Sequence, residues 1–160
     1  MNRLESERLI LRPLEASDFN DFWDLSKNWK EAPGPAFDKW PVAESDCKKA
    51  FEHFRNSQGI FWIYLRGEAK IIGGIFLNNI DENGFIDMGH VIHSSCQNND
   101  IDREALSMAV GNIFKTMDVI GIITNNDPDE KQNAPLYGIG FTDRNANGGQ
   151  LILKKATHEG

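Results

Sequence analysis

His90, His93 and Cys96 stand at intervals of three, and these residue types at close range are those of a zinc site. They fall on and just after an apolar run, Phe85 to His93, that reads as a strand. Residues three apart on a strand point to opposite faces, and no fourth ligand stands at a suitable spacing, so no metal is expected. Cys96 with His93 pairs a thiol with a base, but no helix N-terminus activates the thiol directly and no orienting carboxylate is evident nearby. Anion binding is the better-supported chemistry. The strand runs into a polar loop, Ser94–Asp102, and then into residues of helical periodicity, Arg103–Met117. The first amides of such a helix have no intrahelical partners and face the loop.

A chain of 160 residues is about one domain with a sizeable core, and 40% hydrophobic with 26% charged residues is ordinary for a soluble protein. The net charge of −7 argues against a nucleic-acid partner and suits a cationic or amine-bearing one. No apolar run reaches the roughly 18 residues of a membrane span. Met1–Arg8 lacks the apolar core of a signal peptide, and Cys47 and Cys96 form no disulfide framework. A cytoplasmic protein with no membrane partner is expected.

Arg8–Leu14 alternates as a strand, and Ser17 reads as the N-cap of a helix with Phe19, Phe22 and Trp23 on one face, ending near Lys27. Residues 28–42, with Pro33, Gly34, Pro35 and Pro41, read as a loop anchored by Trp29, Phe37 and Trp40. Those aromatics serve either the core edge or the wall of an acceptor pocket. A second helix, Glu44–Asn56, carries Cys47, Ala50, Phe51 and Phe54 as its stripe, with Cys47 simplest as a small core residue. Three strands follow: Ile60–Arg66, a Gly67-Glu68 turn, Lys70–Asn78, a type I′ signal at Asn83-Gly84, and the strand from Phe85. Gly73-Gly74 marks a bulge or a close backbone approach.

Val119–Thr124 reads as a buried strand, and a right-handed crossover places it parallel beside 85–93. Ligands then bind beyond the carboxyl ends, at Ser94–Asp102 and Asn125–Asp127. A helical turn around Asn133–Tyr137, a turn at Asn145–Gly149 and a strand Gln150–Lys154 complete the order β α α β β β α β α β. That is an α/β fold with one mixed sheet and helices on both faces, in a single domain, 1–160.

In order and spacing these pieces resemble a GNAT-superfamily N-acetyltransferase of the RimJ/RimL-like, ribosomal-protein N-terminal branch. The resemblance rests on Ser6-Glu-Arg-Leu-Ile-Leu-Arg-Pro-Leu14 with Ser17-Asp18, on Ile71-Ile-Gly-Gly-Ile-Phe-Leu77, on Ile86-Asp-Met-Gly-His90, and on Leu136-Tyr137 with Gly140-Phe141. It covers nearly the whole length and implies acetyl-CoA as cosubstrate, lying between the two parallel strands. The backbone of Val91 and Ile92 would pair with its pantetheine amides, and Asn125 and Asn126 would stand near that arm or the acceptor. The family's pyrophosphate loop, Gln/Arg-x-x-Gly-x-Gly/Ala, aligns with Gln97, Asn98, Asn99, Asp100, Ile101 and Asp102, followed by Arg103. Tyr137 resembles the acid that protonates the leaving thiolate, once one residue is deleted before Gly140-Phe141; its alternative is a tyrosine packed on the sheet. Asp87 falls where the branch often has a glutamate base, or is a solvated strand carboxylate. His90, with an ordinary pKa near 6.5, is the alternative base. By alternation Asp87 and His90 face opposite ways, so a bulge at Gly89 would decide between them.

Both small positions of the loop are aspartate here. Asp tolerates positive φ, so the loop's shape survives, but its Cβ hinders close approach to phosphate. Like charges at roughly 6 Å cost about 1–3 kcal/mol, and Arg103 would offset one of them. Weak or displaced coenzyme binding is therefore expected. The leading function is acetyl transfer to a primary amine, either a protein N-terminus or a small molecule. The alternative is a degenerate GNAT-fold binding or regulatory module without turnover. The resemblance also admits a homodimer.

Overall fold

The structure is a computed structural model that describes residues 3–31, 41, 43–97, 100–124, 130–144 and 150–156. Pro33, Gly34, Pro35, Phe37, Trp40, Asn98, Asn99, Asn125, Asn126 and the turn 145–149 lie outside the described residues. The chain forms two compact units, Met1–Ile75 with His90–Gln97, and Phe76–Gly89 with Asn98–Gly160. Strands β4 (Lys70–Ile80) and β5 (Phe85–Ile92) run through both.

In the first unit, β1 (Leu4–Glu5) and β2 (Leu9–Arg12) pair antiparallel, as do β2 and β3 (Ile60–Leu65), and the strand order continues to β4 and β5. Helices α1 (Phe19–Glu31) and α2 (Glu44–Arg55) share an aromatic core with β3. Phe22 meets Phe51, Phe54 and Trp62 at centroid distances of 5.4, 5.9 and 5.7 Å. Such pairs each add about 0.5–1.5 kcal/mol beyond area burial. Cys47 is fully buried in this core, and burial pushes its thiol pKa up, so it behaves as a small apolar residue. Helix α1 runs a turn past Lys27 because Trp29 extends the Phe22–Leu25 stripe inward; it belongs to the helix rather than to the loop.

The cap of α1 also differs from the sequence-based expectation. Ala16–Asp18 is a 3₁₀ turn started by Glu15, and the carboxylate of Asp18, not Ser17, closes it by accepting the Glu15 amide at 2.7 Å. Asp18 is placed by Arg12, whose two terminal nitrogens donate to it at 2.8 and 3.1 Å.

The paired glycines of β4 reflect close approach. A Cβ on Gly73 would lie 2.2 Å from the Val91 carbonyl oxygen, and one on Gly74 would lie 3.0 Å from the Trp62 ring. Backbone cannot swing aside as a side-chain tip can. Gly73→Ala is thus expected to lower unfolding free energy by about 1–3 kcal/mol, the ordinary range for overpacking, read from urea midpoints. A midpoint equal to that of the parent would contradict the close approach. The Gly67-Glu68 turn stands where expected, closed by the Ala69 amide donating to the Arg66 carbonyl at 3.2 Å, with Ala69 left-handed (φ 51°).

In the second unit the strand order is β4, β5, β6 (Gly121–Thr124), β8 (Leu151–Lys154), β7 (Thr142–Asp143). The β4–β5 hairpin is not type I′. Only Gly84 is left-handed (φ +87°), while the Asp81 carboxylate accepts the amides of Asn83 and Phe85 at 2.9 and 3.0 Å. That carboxylate supplies an ordinary turn closed by one left-handed glycine. Strands β5 and β6 are parallel as expected, in the register Phe85↔Gly121 to Asp87↔Ile123. Gly121 leaves room for the Phe85 ring, which a Cβ would approach to 2.5 Å.

Helix α3 spans Ile101–Thr116, and α4 spans Glu130–Ile139, longer than the single turn expected. Burial of Pro135 and Leu136 outweighs the proline's poor helix propensity. The fold is a mixed α/β sheet, mostly antiparallel, with β1 and β7 added to the expected order.

Candidate active site

Within the second unit, the parallel ladder ends at Asp87↔Ile123 among the described residues, whereas β5 itself continues to Ile92. Helix α3 begins at Ile101. Asp100 is its N-cap and is left-handed (φ 70°), so aspartate does adopt the glycine-like conformation the loop requires. Its carboxylate makes no capping bond; it pairs with the Arg103 guanidinium at 3.0 Å.

Asp102 behaves differently. It is 3% exposed, and its Oδ1 accepts the Arg103 amide at 2.8 Å. One first-turn N–H is therefore already held by a carboxylate from within the helix. The aliphatic part of Arg103 lies against α4, where a Cβ on Gly138 would come within 3.1 Å of its Cδ. That contact brings Tyr137 and the α3 start into one neighbourhood. Tyr137 is 44% exposed rather than packed on the sheet, and its hydroxyl donates to Asp143 Oδ1 at 2.5 Å. Asp87 is half-buried and accepts from Asn78 Nδ2 at 3.0 Å.

The sequence profile of the Acetyltransferase (GNAT) domain matches residues 8–137. The chain belongs to the GNAT acetyltransferase family. Among solved structures, this GNAT chain is similar to the GNAT-family acetyltransferase from Bacillus anthracis, with TM-score 0.76, 19% identity, and 96% of this chain and 98% of that one covered. The ribosomal-protein-S5-alanine acetyltransferase from Vibrio fischeri gives 0.71 and 20%, with 99% and 98% covered. RimL, the ribosomal L7/L12 alpha-N-protein acetyltransferase in complex with coenzyme A, gives 0.72 and 15%, with 96% and 98% covered. At these identities the likeness is one of fold. No curated protein sequence matches. The GNAT reaction is acetyl transfer from acetyl-CoA to an amine, and acetyl-CoA is the cosubstrate of this chain.

For an anionic cosubstrate the α3 start keeps the bend in its backbone, with Asp100 left-handed and paired with Arg103 and Asp102 folded inward, but Asp100, Asp102 and Glu104 against the single Arg103 leave its charge acidic. The fit lacks one donor, the Arg103 amide.

The first unit holds the other residues singled out by sequence. His90 is buried, as are Val91 and Ile92. Gln97 turns its side chain back, donating from Nε2 to the Ile92 carbonyl at 3.1 Å. His93 has the carboxylate that the sequence did not reveal: its Nε2 lies 3.2 Å from Asp24 Oδ2. Cys96 is buried, and Ser95 rather than Cys96 meets the His93 ring. Asp24 and Asn28 stand four apart on α1, hence on one face, and Asn28 holds Ser94 through two hydrogen bonds of 2.7 and 2.9 Å. That i, i+4 polar pair on an amphipathic helix is the one signal that could have flagged them. Among the described residues no group of three or more His, Cys, Asp or Glu is placed to hold a metal ion, and no helix is long and apolar enough to cross a membrane.

Proposed function

We propose that residues 1–160 act as one cytoplasmic, RimJ/RimL-like N-acetyltransferase domain whose acceptor is a protein N-terminus or a small primary amine, with a homodimer as its working form. The observation that carries this is the left-handed Asp100 paired with Arg103, which keeps an anion-accepting bend at the start of α3 without glycine. The proposed coenzyme contacts are the segment Gln97–Arg103, including Asn98 and Asn99, the backbone of Val91 and Ile92, and Asn125 and Asn126. Acetyl-CoA supplies an acetyl group activated as a thioester. Tyr137 is the proposed acid, its hydroxyl exposed and held by Asp143. Asp87, partly exposed on β5, is the proposed base, acting directly or through water; His90, 7% exposed, is the alternative.

One observation favours the reading without turnover: Asp102 already takes an amide that a diphosphate would use. A thermal-shift titration separates the two. Acetyl-CoA at 100 times its Kd adds about 2.7 kcal/mol of stability, which raises Tm by about 5–10 °C. No shift at millimolar acetyl-CoA, together with no transfer to a panel of N-terminal peptides and small amines, would overturn the transferase reading and favour the binding module. In the same assay, Asp100→Gly with Asp102→Ala removes two charges and frees the Arg103 amide. Relief of about 1–3 kcal/mol tightens acetyl-CoA binding about 5- to 150-fold. Unchanged affinity in the double variant would remove the α3 start from the binding site.

A further inference from the structure

The first unit contains a serine, a histidine and a carboxylate in line. Ser95 Oγ lies 2.9 Å from His93 Nδ1, and His93 Nε2 lies 3.2 Å from Asp24 Oδ2. The Ser95 backbone N–H also donates to Nδ1, at 3.2 Å, so Nδ1 is an acceptor and the ring proton sits on Nε2, facing Asp24. The one Nδ1 lone pair is shared by the Ser95 amide at 3.2 Å and the closer Ser95 hydroxyl at 2.9 Å, so taking the hydroxyl proton requires the amide to give way, while Asp24 stabilises the imidazolium that results. Ser95 is exposed, and the His93 side chain is 17% exposed. The Asn28 clamp on Ser94 ties this turn to the helix that carries Asp24.

We propose that Ser95 is an acyl-accepting nucleophile, activated by His93 and Asp24, that becomes O-acylated by thioesters or aryl esters. The Ser95 Oγ–acyl carbon bond forms as the hydroxyl proton passes to His93 Nδ1. The bond from the acyl carbon to the thiolate or phenolate then breaks, and His93 returns the proton to that leaving group.

The same turn sets the limit of the reaction. The amides of Ser94, Ser95, Cys96 and Gln97 are committed to Asn28 Oδ1, His93 Nδ1, the His93 carbonyl and the Ser94 carbonyl. Among the described residues of this turn none of these four amides points outward to stabilise an oxyanion, and the lack of one such donor costs about 10²–10³ in rate. Donors with good leaving groups can acylate Ser95, whereas hydrolysis of the resulting alkyl ester is slow. The outcome is a self-acylated protein rather than a turning-over esterase.

The test treats the full chain with p-nitrophenyl acetate and, separately, with acetyl-CoA. The aryl ester is expected to give a burst of nitrophenolate approaching one equivalent and one added acetyl group on the tryptic peptide 71–103. Ser95→Ala should abolish that adduct, His93→Gln should slow its formation about 100-fold, and Asp24→Asn, at a more exposed position, about tenfold. Labelling by the aryl ester but not by acetyl-CoA upholds the nucleophile and places the failure in coenzyme binding, which keeps this proposal separate from the acetyltransferase reading. A burst that persists in Ser95→Ala, or an adduct found on lysine or cysteine with Ser95 unmodified, overturns it.

Discussion

Tyr137→Phe is expected to lower the turnover of acetyl transfer by about 10²–10⁴-fold, the usual contribution of a positioned acid. Two observations make the residue available for that role. Its hydroxyl is at the surface, with the side chain 44% exposed, and it follows helically from Leu136, which is fully buried and anchors α4. The hydroxyl donates to Asp143, and in the proposed role that carboxylate would hold the phenol in place until a developing thiolate competes for its proton. Removing one exposed, hydrogen-bonded hydroxyl changes stability by about 0.5–1.5 kcal/mol, too little to unfold the chain, so the lost rate is not lost fold. Turnover from steady-state kinetics, set beside acetyl-CoA affinity from calorimetry, decides the matter. A rate equal to that of the parent removes Tyr137 from the chemistry, and a parallel loss of affinity reassigns it to binding.

Arg12→Ala is expected to destabilise the chain by about 3–5 kcal/mol, the range for breaking a buried ion pair on one side. The Arg12 and Asp18 side chains are 8% and 6% exposed and share a two-pronged hydrogen bond. Arg12 also donates to the Pro13 carbonyl at 2.9 Å and lies over the Tyr64 ring at 5.1 Å. Asp18 beside it holds the guanidinium pKa above its ordinary value. Truncation leaves Asp18 buried with a single amide donor among the described residues, that of Glu15. For a chain of this size the loss corresponds to a drop in Tm of about 6–20 °C by calorimetry. Arg12→Lys keeps the charge but loses the fork, so it should fall between the two. A Tm within 2 °C of the parent, on the order of the smallest shift expected for 1 kcal/mol, would show that the pair adds nothing.

Much of this architecture could be read from local pattern. The parallel β5–β6 pair follows from a strand–helix–strand order whose connection has one allowed hand. The Asn83-Gly84 hairpin stands where expected because glycine is the residue that turns left there. Its turn type was not legible, since that depended on the Asp81 carboxylate gathering two amides. The limits of α1 and α4 were missed for a similar reason: burial of Trp29 and Leu136 extends each helix past the point where propensity stops.

The sequence by itself determined the main elements apart from β1 and β7, the mixed sheet and the left-handed tolerance of Asp100, because each is set by residues within a few positions of one another. Only the tertiary structure decided where charges go. It turned Asp102 inward onto the Arg103 amide, set Arg103 between Asp100 and α4, and buried Arg12 against Asp18. It also brought α1 to a turn 66 residues away, so that Asp24 meets a histidine with a serine on its other nitrogen. Hydrogen bonds and ion pairs act over about 3 Å, and which groups come that close is a property of the folded chain, not of their spacing along it.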